Sequence, residues 1–176
     1  EKRYGIVVKI LSVPNLPASD EEIVELYRSA ITPKTKLLLV SHMINITGQV
    51  LPIKKICDMA HGLNVDVAVD GAHAFAHLNF KIPDLGCDYY AASLHKWLSV
   101  PLGAGLLYVK DGKAPGLWSL MADWNMKDDI SHLAHTGTHP VATDLTILDA
   151  IDFYIKLGPE RKEARLQYLQ SYWTSR

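Results

Sequence analysis

Two residues with complementary chemistry, Asp70 and Lys96, stand just beyond apolar runs. The run Val65-Asp66-Val67-Ala68-Val69 alternates and is β-branched, so it predicts a buried strand that ends on the Asp70 carboxylate. Gly71, Ala72 and His73 follow, which suits a strand end opening into a site. Tyr89-Tyr90-Ala91-Ala92-Ser93 predicts a second short strand, and it runs out into Ser93, His95 and Lys96, with Trp97 next. An acid and an amine then sit at the ends of two strands of one sheet, where open α/β sheets place their ligands. A deprotonated lysine amine is a nucleophile towards carbonyl carbon, and a carboxylate stabilises a cationic group held beside it.

Strands and helices alternate around these residues. Tyr4-Gly5-Ile6-Val7-Val8-Lys9-Ile10-Leu11 predicts a strand by its β-branched content, stopped by Pro14 and Pro17. Ser19-Asp20-Glu21-Glu22 is a capping box, Ser19 bonding forward and Glu22 back. It opens a helix to about Ala30 with Ile23, Leu26 and Tyr27 on one face. Lys36-Leu37-Leu38-Leu39-Val40-Ser41 is apolar enough to be a parallel strand covered on both faces. Pro52 starts a helix that runs to about His61, with Gly62 at its C′ position. This order gives βαβ units, hence an α/β fold with a mostly parallel sheet flanked by helices. Leu106-Leu107-Tyr108-Val109 follows Lys96 by a link too short for a parallel crossover, so it is expected to run antiparallel to Tyr89–Ser93. Residues 114–135 read as irregular. Thr143 to Leu157 predicts a helix ended by Gly158-Pro159, and Glu160 to Trp173 predicts another with Leu166 and Leu169 as its apolar stripe.

The motifs Asp70-Gly71-Ala72-His73, Gly86-Cys87-Asp88-Tyr89, Ser93-Leu94-His95-Lys96 and Gly103-Ala104-Gly105 come in an order and at spacings that resemble the class V aminotransferase family of fold type I pyridoxal-phosphate enzymes. The resemblance runs from about Arg3 to Arg165. It implies the core of the fold type I large domain, with pyridoxal 5'-phosphate as cofactor. Lys96 would be joined to the cofactor aldehyde, and Asp70 would pair with the pyridine nitrogen and keep it protonated, which makes the ring an electron sink. His73 would bond the phenolic oxygen, and Ser93 and His95 would hold the phosphate. Asn45 would line the cofactor and substrate pocket. Thr138, in His135-Thr136-Gly137-Thr138-His139-Pro140, would reach the cofactor phosphate of a partner subunit, which implies a homodimer with a shared site. Family chains are about twice this length, so residues 1–158 would be the large domain without its N-terminal part. Residues 159–176 would be the helix leading to a small C-terminal domain. Leu94-His95-Lys96-Trp97 and Gly137-Thr138-His139-Pro140 look closer to an isopenicillin-N-epimerase-like branch. Transamination, epimerisation, elimination and desulfuration all stay open.

Composition narrows the rest. The chain has 176 residues, is 48% hydrophobic and 21% charged and carries a net charge of -1, which suits one sizeable core. That charge leaves no footprint for nucleic acid. No apolar run approaches the ~20 residues of a membrane span. The expected partner is a small amino acid or amine, and the expected compartment is the cytoplasm unless a signal peptide precedes Glu1. Cys57 and Cys87 are expected to be buried thiols without metal spacing. Three other functions compete with this one. A cysteine desulfurase or selenocysteine-lyase-like enzyme needs a mobile sulfur acceptor, and Cys57 falls on a predicted helix while Cys87 precedes a strand. A metal site could use His73 with His77, or His132, His135 and His139, but no Glu lies between His73 and His77 as in a zinc hydrolase motif. A non-catalytic α/β module would not need both Asp70 and Lys96.

Overall fold

A computed structural model of the chain describes residues 4–119, 129–134, 137–138 and 141–174. Its centre is a four-stranded sheet in the order β1-β2-β3-β4, formed by Leu37–Ser41, Asp66–Asp70, Tyr89–Ser93 and Gly105–Val109. β1, β2 and β3 are parallel; β4 is antiparallel to β3, with Ser93 opposite Gly105. The short link after Lys96 produces this reversal, as expected.

Helix α1, Asp20–Ala30, begins at the predicted cap. Ser19 Oγ accepts from Glu22 N–H at 3.3 Å, while the Glu22 carboxylate reaches one residue further back, to Ala18 N–H at 2.6 Å. Helix α2, Ile53–His61, follows Pro52. The predicted role of Gly62 differs in one respect: Gly62 stays in the right-handed region (φ -60°), and Asn64 takes the left-handed turn (φ 57°) before β2. Asn tolerates that backbone better than most residues. A single turn, α3, spans Ile82–Leu85 and carries the chain into β3.

These helices cover one face of the sheet. Ile23 and Tyr27 from α1 and Ile56, Cys57 and Ala60 from α2 join Leu38, Val40, Val67, Val69 and Tyr90 in one buried cluster. Each fully buried Val or Ile contributes about 1.5–3 kcal/mol relative to staying in water. The opposite face departs from expectation: Leu37, Leu39 and Leu107 are 51%, 73% and 49% exposed, so no described element covers it at these positions. The predicted strand at Tyr4–Leu11 is also not formed. It has no ladder partner among the described residues, and Val7 and Ile10 are each 88% exposed. A lone strand without neighbours gains too little to hold its shape.

The amino-terminal end of the sheet is tied by Asp88, which is buried. Its Oδ2 accepts from Val67 N–H at 2.8 Å and lies 2.8 Å from His61 Nε2; Lys113 Nζ stands 3.5 Å from Oδ1. Desolvation works to raise this carboxyl's pKa, but those neighbours together hold it below the ordinary value. Beyond β4 the expected single helix is broken. Helix α4, Ala142–Leu145, is separated from α5, Ile147–Leu157, by Thr146, whose hydroxyl donates to the Thr143 carbonyl at 2.7 Å. Gly158 (φ 86°) ends α5, and α6, Pro159–Thr174, starts directly after it. Leu166 is half-buried on α6 and Leu169 is exposed, so the predicted apolar stripe is only partly used.

His42 gives the fold a pH dependence. It is 5% exposed, lies edge-on to Phe80 and shares a 3.2 Å hydrogen bond between its Nδ1 and the Tyr90 hydroxyl. Burial lowers its pKa from 6.5 to about 4. The unfolded chain therefore takes up a proton at His42 before the folded one does. Stability is expected to fall as pH drops from 6.5 to about 4 and to level off below that, a loss of about 3 kcal/mol from this group. Urea unfolding of the chain and of His42→Gln across this window checks it. Equal slopes for the two proteins would exclude His42 as the source.

Candidate active site

β2 and β3 deliver Asp70 and Ser93 to the same carboxyl-terminal edge, because Asp70 pairs with Ala91, two residues before Ser93. Side chains alternate along a strand, so both lie on the sheet's more open face. The Asp70–Gly71 peptide is fixed on both sides: Asp70 C=O accepts from His42 N–H at 2.8 Å, and Gly71 N–H donates to Ala91 C=O at 2.8 Å. The Asp70 carboxylate then caps its own turn, accepting Ala72 N–H at 3.0 Å. Gly71 is required by contact: a Cβ there would stand 2.0 Å from the Tyr90 ring.

Two loops leave this edge and meet. In the first, Ala74 and Phe75 N–H donate back to Gly71 C=O at 3.0 and 2.9 Å, and Leu78 N–H donates to Ala74 C=O at 2.9 Å. Ala76 takes a left-handed backbone (φ 56°) to close it. In the second, Leu94 N–H donates to Ala104 C=O and Val100 N–H to Leu94 C=O, each at 3.2 Å, so the loop is drawn shut behind Lys96. Leu94, Leu98 and Val100 are buried beneath it, and Ser99 has φ 66°. Ile147, Ala150, Ile151 and Tyr154 of α5 pack against this second cluster.

The loops bring Lys96 Nζ to 2.8 Å from His73 Nε2. Partial burial pushes the His73 imidazole below its ordinary pKa, the Lys96 charge adds to this, and Asp70 opposes it. The hydrogen bond between the two side chains orients the Lys96 amine against the His73 ring. His95 is half-buried on the same loop, and its Nδ1 has no hydrogen-bond partner among the described residues. Beneath the loops, a cavity of about 360 Å³ is lined by apolar side chains, among them Phe75, Leu94, Leu106, Ile151 and Tyr154, and offers nothing for a charged ligand.

Asp70, His73, Ser93, His95 and Lys96 thus belong to one sheet edge and the two loops leaving it. Asn45 lies exposed in the turn after β1, and Thr138 is exposed. No hydrogen bond joins either to Lys96, His73 or Asp70 among the described residues. His135, Thr136, His139 and Pro140, which flank Gly137-Thr138, lie outside the described residues, as do 120–128 of the stretch read as irregular. Cys57 and Cys87 are both fully buried free thiols, pushed up to about 12 and about 11 by desolvation first of all. Among the described residues no group of three or more His, Cys, Asp or Glu is placed to hold a metal, and no helix is long and apolar enough to cross a membrane. His77, considered from sequence only as a metal ligand, and Trp97, given no role there, meet beside the site. His77 stacks on Trp97 at 3.8 Å between ring centroids, and its Nδ1 lies 3.1 Å from the His73 carbonyl. The only signal was position, His77 four residues after His73 and Trp97 next to Lys96.

A strand-end carboxylate and a loop lysine thus share one edge of the sheet and the loops that leave it. Residues 1–176 match the family described as Aminotransferase class-V, and the chain belongs to that family. Among curated relatives, isopenicillin N epimerase of Amycolatopsis lactamdurans is 32% identical over 99% of this chain and 48% of its own length. The isopenicillin N epimerase of Streptomyces clavuligerus is 29% identical over 97% of the chain and 47% of its own length. The chain therefore spans about half the length of these relatives. Among solved structures, a cysteine desulfurase of Thermococcus onnurineus shares the fold, with a TM-score of 0.76 at 18% identity, over 95% of this chain and 43% of its own. A mutant of C-DES with glycine covalently linked to its PLP cofactor matches with a TM-score of 0.72 at 25% identity, over 80% of this chain and 41% of its own.

Proposed function

We propose that this chain forms the cofactor-holding core of a pyridoxal-phosphate-dependent enzyme that acts on an amino acid or amine, with Lys96 as the covalently linked residue. The observation that carries the reading is the 2.8 Å contact between Lys96 Nζ and His73 Nε2, beside the strand that ends on Asp70. The donor set suits the cofactor: an oriented amine for its aldehyde, an exposed carboxylate for its pyridine nitrogen, and Ser93 with His95, whose Nδ1 has no partner among the described residues, for its phosphate. His73 would bond the phenolic oxygen. The bound cofactor supplies the electron sink for a carbanion at the substrate α-carbon. Asn45 would border the substrate pocket, and Thr138 would serve a second subunit's phosphate in a homodimer. Residues 1–158 would belong to the large domain and 159–176 would lead to the small one.

Isopenicillin-N-epimerase-like relatives favour an epimerase-type substrate. A cysteine desulfurase reading is favoured by a second group of relatives, such as a probable cysteine desulfurase of Xylella fastidiosa at 30% identity over 82% of this chain and 37% of its own length. On that reading the sulfur acceptor is neither Cys57 nor Cys87, since both are buried with raised pKa values. The test is to load the protein with pyridoxal phosphate, reduce it with borohydride, digest it and map the label. The label is expected on the peptide carrying Lys96. A label on any other lysine would overturn the assignment.

A further inference from the structure

The first turns of α6 grip both site loops. Lys162 Nζ donates to the Trp97 carbonyl at 2.5 Å and lies 5.7 Å from the centroid of the Trp97 ring and 5.5 Å from that of Tyr154. One residue on, the Glu163 carboxylate accepts Asn79 N–H at 2.8 Å, and Glu160 accepts from the Asn79 amide at 3.4 Å. Asn79 follows the Gly71–Leu78 loop that carries His73, and Trp97 follows Lys96. The loops also touch each other through the His77–Trp97 stack.

The geometry points to Lys162 as a positioning residue, which holds the Trp97 carbonyl so that Lys96 stays against His73. This rests on the reading of Lys96 as the reacting amine. Both loops carry a non-glycine residue in a left-handed backbone, Ala76 and Ser99. Such conformations cost free energy and persist only when their surroundings hold them. A lysine buried enough to have its pKa lowered by desolvation, yet bonded to a backbone carbonyl, gives that support from outside the loop. Movement of α6 would then change the Lys96–His73 contact without touching either residue.

His73 is the reporter. The charged and titratable groups around it are Lys96, Asp70 and His77, and its lowered pKa owes nothing to Lys162 directly. Imidazole NMR of the full chain without cofactor, with His73 assigned by His73→Gln, is compared among wild type, Lys162→Met and Lys162→Arg. Lys162→Met is expected to release Lys96 and raise the His73 midpoint by roughly half a pH unit or more, and Lys162→Arg, which keeps a donor, to restore it. An unchanged midpoint in folded Lys162→Met overturns the proposal. Should that variant fail to fold, Lys162→Gln, too short to reach the carbonyl, is judged by the same criterion. The readout involves no cofactor, so it stands apart from the borohydride mapping. A label away from Lys96 with a shifted His73 would sink the cofactor reading and leave the positioning intact.

Discussion

On the proposed cofactor reading, Asp70→Asn is expected to leave the fold intact and to cut turnover on amino acids by about three orders of magnitude. The variant isolates charge from shape. The Asp70 carboxylate accepts Ala72 N–H at 3.0 Å, and an asparagine oxygen accepts the same bond, so the turn into the His73 loop keeps its support. Stability should then change by less than about 1 kcal/mol, as for an exposed substitution that preserves its hydrogen bond. The negative charge alone is lost, and with it, on the proposed reading, the partner that would keep the cofactor's pyridine nitrogen protonated. A neutral pyridine stabilises an α-carbanion poorly. Thermal unfolding and turnover on a panel of amino acids including cysteine are the two measurements. Wild-type turnover by Asp70→Asn would reject the role, whereas a protein that no longer folds would show that Asp70 is a turn residue first.

Much of the sheet was legible because its strands obey simple rules. Val65–Val69 alternates and ends on an acid, and it forms β2 one residue later, at Asp66–Asp70. The short link after Lys96 forbids a parallel crossover, and β4 is antiparallel. Tyr4–Leu11 has the same local character but forms no strand, because a strand depends on partners that local sequence does not contain. Leu37 and Leu39 show the same limit: an apolar strand asks for cover on both faces, and only one is covered by described elements. At the site, strand ends pointed to Asp70 and Lys96 and the family resemblance to His73, and the structure adds the direct contact between His73 and Lys96. It could not point to Lys162, because Lys162 and Trp97 are 65 residues apart and meet only through tertiary packing.

Gly71 is where the sheet core and the site depend on each other most directly, and Gly71→Ala is expected to damage both. The added methyl would stand 2.0 Å from Tyr90 Cζ and 2.1 Å from Cε1, far inside contact distance. Tyr90 is fully buried, and its hydroxyl is bonded to His42, so the ring cannot withdraw without leaving His42 Nδ1 unpaired. The backbone cannot withdraw easily either, since Gly71 N–H is tied to Ala91 C=O and Asp70 C=O to His42 N–H. Overpacking of a filled core costs about 1–3 kcal/mol, and an unsatisfied buried polar group adds about 1–3 kcal/mol. Together these give about 3 kcal/mol or more of lost stability and a displaced Asp70 carboxylate. The check is a double-mutant cycle by urea unfolding. Tyr90→Ala removes the ring the methyl would strike, so adding Gly71→Ala to it should cost less than about 1 kcal/mol, a coupling characteristic of residues in contact. If Gly71→Ala costs the same in both backgrounds, the Tyr90 ring is not what demands glycine, and close packing between core and site is not what sets the Asp70 turn.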